Sequence, residues 1–307
     1  MPSGPLRSLR IRHPEHLAHR LGLPLAMLQD VAEKHSTLYQ TYDKNIGGKI
    51  RHIFDPNDRL RTALIAIKCL LRELAIPPEI IGGRPGRNLR QFAEVHVKKA
   101  WILKMDIKNF YPSVRHRWFY NMFLRDLRCS EPVAALLTGI TAAEDHLPQG
   151  FNTSTDIGNL MIRECATRLA DLADQQGFAL TIWIDNMVMS GEHYPLKLKN
   201  TAERIIAQYG FTLNKPELVP NSKPQTICGV TVNTTLSAER SKRELLEATI
   251  QEINAGRICA VCERDAGRLR ESLLSKIAAV GQIKGQQAHK LRHMLNTARA
   301  NWNCRCT

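Results

Sequence analysis

The stretch Phe178-Ala-Leu-Thr-Ile-Trp-Ile-Asp-Asn-Met-Val-Met-Ser190 holds two apolar runs with Asp185-Asn186 between them. Runs this short, rich in Ile, Val, Thr and Trp, read as β-strands. Asp and Asn tolerate positive φ at a tight turn, so the whole reads as a β-hairpin turning at Asp185-Asn186. Its turn carries a carboxylate.

A second apolar run, Ala100-Trp-Ile-Leu-Lys-Met-Asp-Ile107, reads as a buried strand with Asp106 at its end. Between the two runs, residues 114–140 are helical with breaks, and a helix is predicted from about Asp156 to Gln176. After the hairpin come a helix from Lys199 to Tyr209 and short strands over 211–213 and 225–232. Upstream, 15–45 reads as helical with a break near Pro24, Lys49 to Phe54 alternates like a strand, Leu60 to Leu74 is helical, and Ile80 to Arg90 is a basic, Gly-rich loop. From about Ala238 onward the pattern is helical and basic, with a break at Gly256. The sum is α+β: a split β-α-β sheet with carboxylates on one edge and long helical flanks.

Lys and Arg number 43 and Asp and Glu 29, a formal charge of +14. Such an excess calls for a polyanionic partner, nucleic acid being the usual one; a merely soluble basic protein is the plainer alternative. The basic residues are spread along the chain, which suits a groove built from several segments. No run of apolar residues is long enough to span a membrane, and Met1-Pro-Ser-Gly-Pro5 is not followed by a secretory apolar core, so a cytoplasmic location is expected. The eight cysteines are then expected to be reduced. Cys259, Cys262, Cys304 and Cys306 offer a zinc-ligand set, although the second pair is spaced too tightly for the usual finger. Walker loops, nucleophile elbows and dinucleotide glycine motifs are absent from the sequence.

A carboxylate closing an apolar strand is costly unless it is paired, hydrogen-bonded or metal-bound. If the strands of Asp106 and Asp185 are neighbours, the two side chains converge on a site able to hold two Mg²⁺ ions roughly 4 Å apart. The plainer reading makes Asp106 a cap and Asp185 a turn residue. Spacing alone leaves both open.

Asp106-Ile-Lys-Asn-Phe-Tyr-Pro-Ser113 resembles the first catalytic motif of the reverse-transcriptase family. Leu147-Pro-Gln-Gly-Phe-Asn-Thr-Ser-Thr-Asp-Ile-Gly-Asn-Leu160 resembles its Leu-Pro-Gln-Gly motif. Ile182-Trp-Ile-Asp-Asn186 falls where the Tyr-x-Asp-Asp hairpin belongs, and Gly210-Phe-Thr-Leu-Asn214 is similar to the motif after it. Upstream, Gly48-Lys-Ile-Arg-His-Ile-Phe-Asp-Pro56 looks like the fingers strand and Gly83-Arg-Pro-Gly-Arg-Asn-Leu89 like the fingers loop. The resemblance covers about residues 20–235, in order. Compact bacterial enzymes, retron-type first, are most similar: their Asn-Ala-x-x-His appears as Phe92-Ala-Glu-Val-His96 and their Val-Thr-Gly as Ile227-Cys-Gly229.

The resemblance implies a right-hand polymerase fold: an N-terminal helical segment (1–45), fingers and palm (46–236) and a basic helical thumb (237–307). It implies a magnesium-dependent, RNA-directed DNA polymerase, with Mn²⁺ as a substitute metal. Asp106 and Asp185 would bind metal with the Ile107 carbonyl, and Asn186 would complete the catalytic turn. Tyr111 would pack under the sugar and exclude a 2′-hydroxyl, a core aromatic being its plainer reading. Gln149 and Gly150 would line the nucleotide, and Lys49 and Arg51 would meet the triphosphate. His96 and Trp183 would meet nucleic acid. The implied partners are dNTPs, a structured noncoding RNA, an RNA/DNA duplex and an effector protein, with a role in phage defence.

Three positions depart from the family pattern. Asn186 stands for the second Asp of the hairpin, Trp183 for its Tyr, and Glu217 for a Lys, with Lys215 close by. They keep open two other functions: a catalytically impaired palm serving as an RNA-binding scaffold, and a template-independent or protein-primed polymerase.

Overall fold

The computed structural model describes residues 8–46, 48–255 and 266–297. Helix α1 (Pro14–Leu21) opens with Pro at its first turn, where no N–H is missed, and stops at Gly22 in the left-handed region. α2 (Leu25–Glu33) and a 3-10 turn (His35–Thr37) follow. The helical reading of 15–45 ends there. Tyr39–Ile46 is strand β1, paired antiparallel with β2 (Lys49–Pro56). β1 is polar and exposed over nearly its whole length, so it carries no alternation for a sequence reading to find.

Asn57 caps α3 (Asp58–Leu71) by accepting from the Leu60 N–H, and a reciprocal capping box of Asn88 and Gln91 starts α4 (Leu89–Glu94). β3 (Trp101–Asp106) leads into a short helix α5 (Phe110–Ser113), then α6 (His116–Asn121), a π-helical turn (Met122–Asp126) and α7 (Glu131–Thr141). The single helix expected from 156 to 176 is two, α8 (Ser154–Met161) and α9 (Arg163–Gln175), broken at Ile162. β4 (Ala179–Trp183), β5 (Asn186–Gly191) and α10 (Leu196–Gln208) come next.

The strand expected over 211–213 is a single bridge, Leu213 to Ile107. The pairing passes instead to β6 (Glu217–Pro220). The stretch 225–232 is a hairpin rather than one strand: β7 (Thr226–Ile227) and β8 (Val230–Thr231) turn at Cys228-Gly229, both at positive φ, and β9 (Ser237–Ala238) joins them. α11 (Arg240–Asn254), α12 (Ala266–Ile283) and α13 (Gly285–Thr297) close the described chain. The break expected at Gly256 and the Cys259, Cys262, Cys304 and Cys306 set lie outside the described residues; Cys69, Cys129, Cys165 and Cys228 are free thiols.

The central sheet is antiparallel, in the order β4-β5-β3-β6. Its two faces enter different cores. Leu103, Met105, Met187 and Met189 pack into the large core built on α1–α3 and α5–α10. Ile102 and Val188 point the other way, into a second core with α4, β7–β9 and α11–α13. Side chains alternate across a strand, so burial on both faces gives a nearly unbroken apolar run, as Ala100 to Ile107 shows.

His96, just beyond α4, clamps β4 to β5. It is fully buried, with Nδ1 2.7 Å from the Ser190 hydroxyl and Nε2 2.7 Å from that of Thr181. Thr181 donates its own proton to the Phe92 carbonyl, so Nε2 is the donating nitrogen and the ring is neutral. Burial, with Lys99 nearby, pushes its pKa down to about 3. The RNA contact expected of His96 is therefore corrected: a fully buried ring fixes the sheet and meets no ligand.

This yields a pH test. The unfolded chain protonates His96 near its ordinary pKa and the folded chain only near 3, so the stability this neutral ring carries is complete above roughly pH 6.5 and falls as pH drops toward 3. His96→Gln is expected to be less stable than wild type at pH 7 by about 1–3 kcal/mol. That gap should narrow by about 2 kcal/mol at pH 5 in urea titrations; a constant gap would refute the neutral buried ring.

Candidate active site

β3 and β5 pair so that Asp106 faces Asn186, and the β4–β5 turn then lies at the end of β3. Trp183 pairs with Asn186, so the two turn residues are Ile184 and Asp185, one position earlier than the sequence suggested. Ile184 takes the positive φ, +60°, an uncommon conformation for a β-branched residue. Such strain persists only where the surroundings over-determine it. Here they do. The Ile107 N–H donates to the Asp185 carbonyl at 3.0 Å, and the loop before Gly83 lies along the hairpin, with Ile81 and Gly82 N–H groups donating to the Ile182 carbonyl at 2.8 and 3.1 Å. Gly82 is close enough that a Cβ would sit 2.7 Å from the Ile184 nitrogen. Buried Asn159 on α8 then holds the Gly82 carbonyl at 2.9 Å.

Asp106 and Asp185 converge. Burial, then the Asp106 charge, pushes the Asp185 carboxyl above the usual carboxylate range. Each carboxylate has an amide donor: Asn214 Nδ2 to Asp106 Oδ2 at 2.6 Å, and Asn186 Nδ2 to Asp185 Oδ1 at 2.8 Å. Asp185 also takes a hydrogen bond from its own backbone N–H. The Asn214 N–H also donates to the Asp106 carbonyl at 2.8 Å, which fixes the segment after α10 against the end of β3.

Above the carboxylates opens a cleft of about 510 Å³. Lys49, Arg51, Ile107, Tyr111, Gln149 and Asn186 line it together with the two aspartates. Lys49 is exposed and Arg51 half-buried, and neither has a carboxylate partner among the described residues. Arg51 is close enough to Asp185 to hold down part of its upward shift. Tyr111 is half-buried, its hydroxyl 3.2 Å from that of Thr155, and burial pushes its pKa up, so it stays neutral.

Gly150 acts through its backbone. At φ +126° its missing Cβ leaves room for the Phe54 carbonyl, which would lie 2.3 Å from it, while the Phe54 N–H donates to the Gln149 carbonyl at 2.8 Å. This contact holds β2, and with it Arg51, over the cleft. Trp183 is not among the cleft's lining residues; it is half-buried against Phe92, with ring centroids 5.9 Å apart. Glu217 is paired with Lys104 on the neighbouring strand at 2.5 Å, while Lys215 lines a smaller cavity behind Asp106.

No family model matches the chain. The curated relatives are consistent with one another. The Retron Mx65 reverse transcriptase of Myxococcus xanthus is 27% identical over 309 residues, covering 91% of this chain and 70% of that protein. The chain is thus similar in sequence to bacterial retron reverse transcriptases. The Retron Ec86 reverse transcriptase of Escherichia coli is 23% identical, over 76% of this chain and 74% of its own length. The Retron Se72 reverse transcriptase of Salmonella heidelberg is 24% identical, over 66% and 55%. Among solved structures, a telomerase from Candida albicans aligns with a TM-score of 0.43 and 11% identity, over 86% of this chain and 60% of that one.

Asn214 and Gly82 were not singled out as site residues by the sequence. Asn214 had a signal, since it closes the Gly210–Asn214 motif, but its hydrogen bond to Asp106 joins positions 108 residues apart. Gly82 had none beyond lying in a glycine-rich loop. Gly82→Ala is expected to push that loop off the hairpin turn and cost about 1–3 kcal/mol, as overpacking against fixed backbone does. Urea unfolding checks this, and a loss below about 0.5 kcal/mol would show that the turn is not braced there.

Proposed function

We propose that this chain is an RNA-directed DNA polymerase of the retron type, acting on dNTPs with two divalent metal ions. The observation that carries the reading is the convergence of Asp106 and Asp185 beneath a cleft whose other wall presents Lys49 and Arg51, cations without a salt-bridge partner among the described residues.

The donor set suits hard cations. It offers two carboxylates, each with an amide donor, and an Ile107 carbonyl that accepts no backbone hydrogen bond among the described residues. Asp106, Asp185 and the Ile107 carbonyl would hold Mg²⁺ or Mn²⁺. Held there, such ions would supply positive charge to a phosphoryl transfer. The chain's own residues position the reactants. Lys49 and Arg51 offset the triphosphate charge, Arg51 by the bidentate geometry of its guanidinium. Tyr111, braced by Thr155, offers a flat face to the deoxyribose and leaves little space for a 2′-hydroxyl. Asn186 keeps a donor on Asp185 but contributes no charge, so the site holds one negative charge fewer than an Asp-Asp turn would.

The proposed partners are a structured noncoding RNA that serves as template, the RNA/DNA duplex it becomes, and an effector protein; the proposed setting is phage defence in the cytoplasm. The relatives' identity as retron enzymes supports these points. Among the described residues no helix is long and apolar enough to cross a membrane. A second reading, an RNA-holding palm without catalysis, draws on Asn186 in the hairpin turn.

Primer extension on an RNA template separates the two. Wild type is expected to incorporate labelled dNTP in Mg²⁺ or Mn²⁺, and Asp185→Ala to lose at least about a hundredfold, the scale of removing charge stabilisation from a transition state. Asn186→Asp should raise the rate in Mg²⁺ by supplying the missing charge. Inert wild type and inert Asn186→Asp, with RNA still bound, would leave the scaffold. As a positioning test, Asn214→Ala should raise the Mn²⁺ concentration needed for half-maximal extension while leaving RNA affinity unchanged; equal metal requirements would show that Asp106 needs no such brace.

A further inference from the structure

A second groove lies on the far side of the Phe110–Phe211 contact from the catalytic cleft, with which it shares no lining residue. It is two joined cavities. One, of about 190 Å³, is a slot walled by Trp118, Met161, Tyr209 and Phe211. The other, of about 390 Å³, opens among Arg10, Arg125, Arg128 and Arg163. They meet at Asp126, Arg163 and Glu164, which line both.

The four arginines come from separate places: the strap before α1, the π-helical turn, the loop after it, and the first residue of α9. The strap is fixed there by the Arg10 N–H donating to the Leu127 carbonyl at 3.0 Å and by the Ser130 N–H donating to the Ile11 carbonyl at 3.0 Å. Arg10 and Arg128 both sit at positive φ, 50° and 55°, so the backbone is held in an unfavourable conformation where it presents them. Arg125 and Arg128 are exposed and form no salt bridge among the described residues, although Arg125 lies near enough to Asp126 to pull its carboxyl down, and among those residues Arg10 bonds to the Ser8 hydroxyl. Of the two acids present, Glu164 is paired with Arg163 at 3.3 Å. Arg168 lies over the Tyr209 ring, 5.8 Å from its centroid, adding a further cation beside the slot.

Free guanidinium groups next to an aromatic-walled slot match the two chemistries of an unpaired nucleotide, a phosphate backbone and a stacking base. We infer that this groove binds an unpaired nucleotide of RNA, its base in the slot of Trp118, Met161 and Tyr209 and its flanking phosphates on Arg10, Arg125 and Arg128. The inference rests on the reading that RNA is the chain's partner, but not on catalysis. The groove would anchor RNA outside the cleft while another part of the molecule is copied.

The test uses the full chain and a thiouridine-substituted oligouridylate as probe. Cross-linking followed by peptide mapping is expected to mark the segments of Trp118, Met161 and Tyr209 as well as the cleft. In Arg125→Gln/Arg128→Gln the groove cross-links should vanish and affinity should fall roughly tenfold, with the log K against log [salt] slope shallower by about 1.4, two single-strand phosphate contacts. Met161→Trp, which fills the slot and leaves the charges, should lose the cross-links and keep the slope. Extension of an oligo(dT) primer on poly(rA) should be unchanged in both variants. Cross-links confined to the cleft, or an unchanged slope in the double arginine variant, overturn the proposal, as does loss of a co-purifying protein with RNA binding intact. Inert wild type that still cross-links through the groove would sink the polymerase reading and leave this one standing.

Discussion

The antiparallel pairing of β3 with β5 decides where everything else must be. It brings a strand-ending aspartate beside a hairpin turn that carries another, and like charges in a half-buried place repel. The surroundings are arranged to tolerate this. Two carboxamides donate to the two carboxylates, one from within the hairpin and one from the segment after α10. Arg51 reaches toward the pair from a different sheet. The hairpin turn, in turn, is held in a strained conformation by a loop that only a glycine lets approach. Charge convergence of this kind costs stability, and on the proposed reading a bound cation would relieve it.

The same logic explains the neighbouring strand. Lys104 points out of β3 two residues before the aspartate, and Glu217 on β6 neutralises it. A lysine at position 217 would set two cations against each other across the pair. The acidic residue therefore fits this chain's own lysine. Lys215, not 217, is the cation that borders the cavity behind Asp106.

Much of the sheet was legible because both of its faces are buried. Continuous apolar runs with a polar end are what a sequence reading finds best, and Ala100 to Ile107 and Phe178 to Ser190 are of that kind. β1 was missed because it is polar and exposed, and its partner's alternation alone says nothing about it. The hairpin turn was misplaced by one residue because preference favours Asp-Asn over Ile-Asp, and tertiary bracing overrode preference at Ile184. His96 reads as a ligand because Phe92-Ala-Glu-Val-His96 resembles a landmark of retron-type enzymes; its two hydroxyl partners lie 85 and 94 residues away, beyond any local signal. The cleft residues from 49 to 186 were readable only through resemblance to a family, since nothing in their spacing brings four segments to one place.

Asn186 shows how far geometry alone can argue. An aspartate there would face the carboxylate of Asp185 as a third negative group, and the hydrogen bond now made at 2.8 Å would become a repulsion until a cation arrived. The carboxamide instead favours the charged form of Asp185, pulling against the upward push of burial and Asp106. It ties the hairpin turn together through this bond and leaves the aspartate pair one negative charge short of what an aspartate at 186 would give. On the proposed two-metal reading, that charge is what Asn186→Asp would restore to the site.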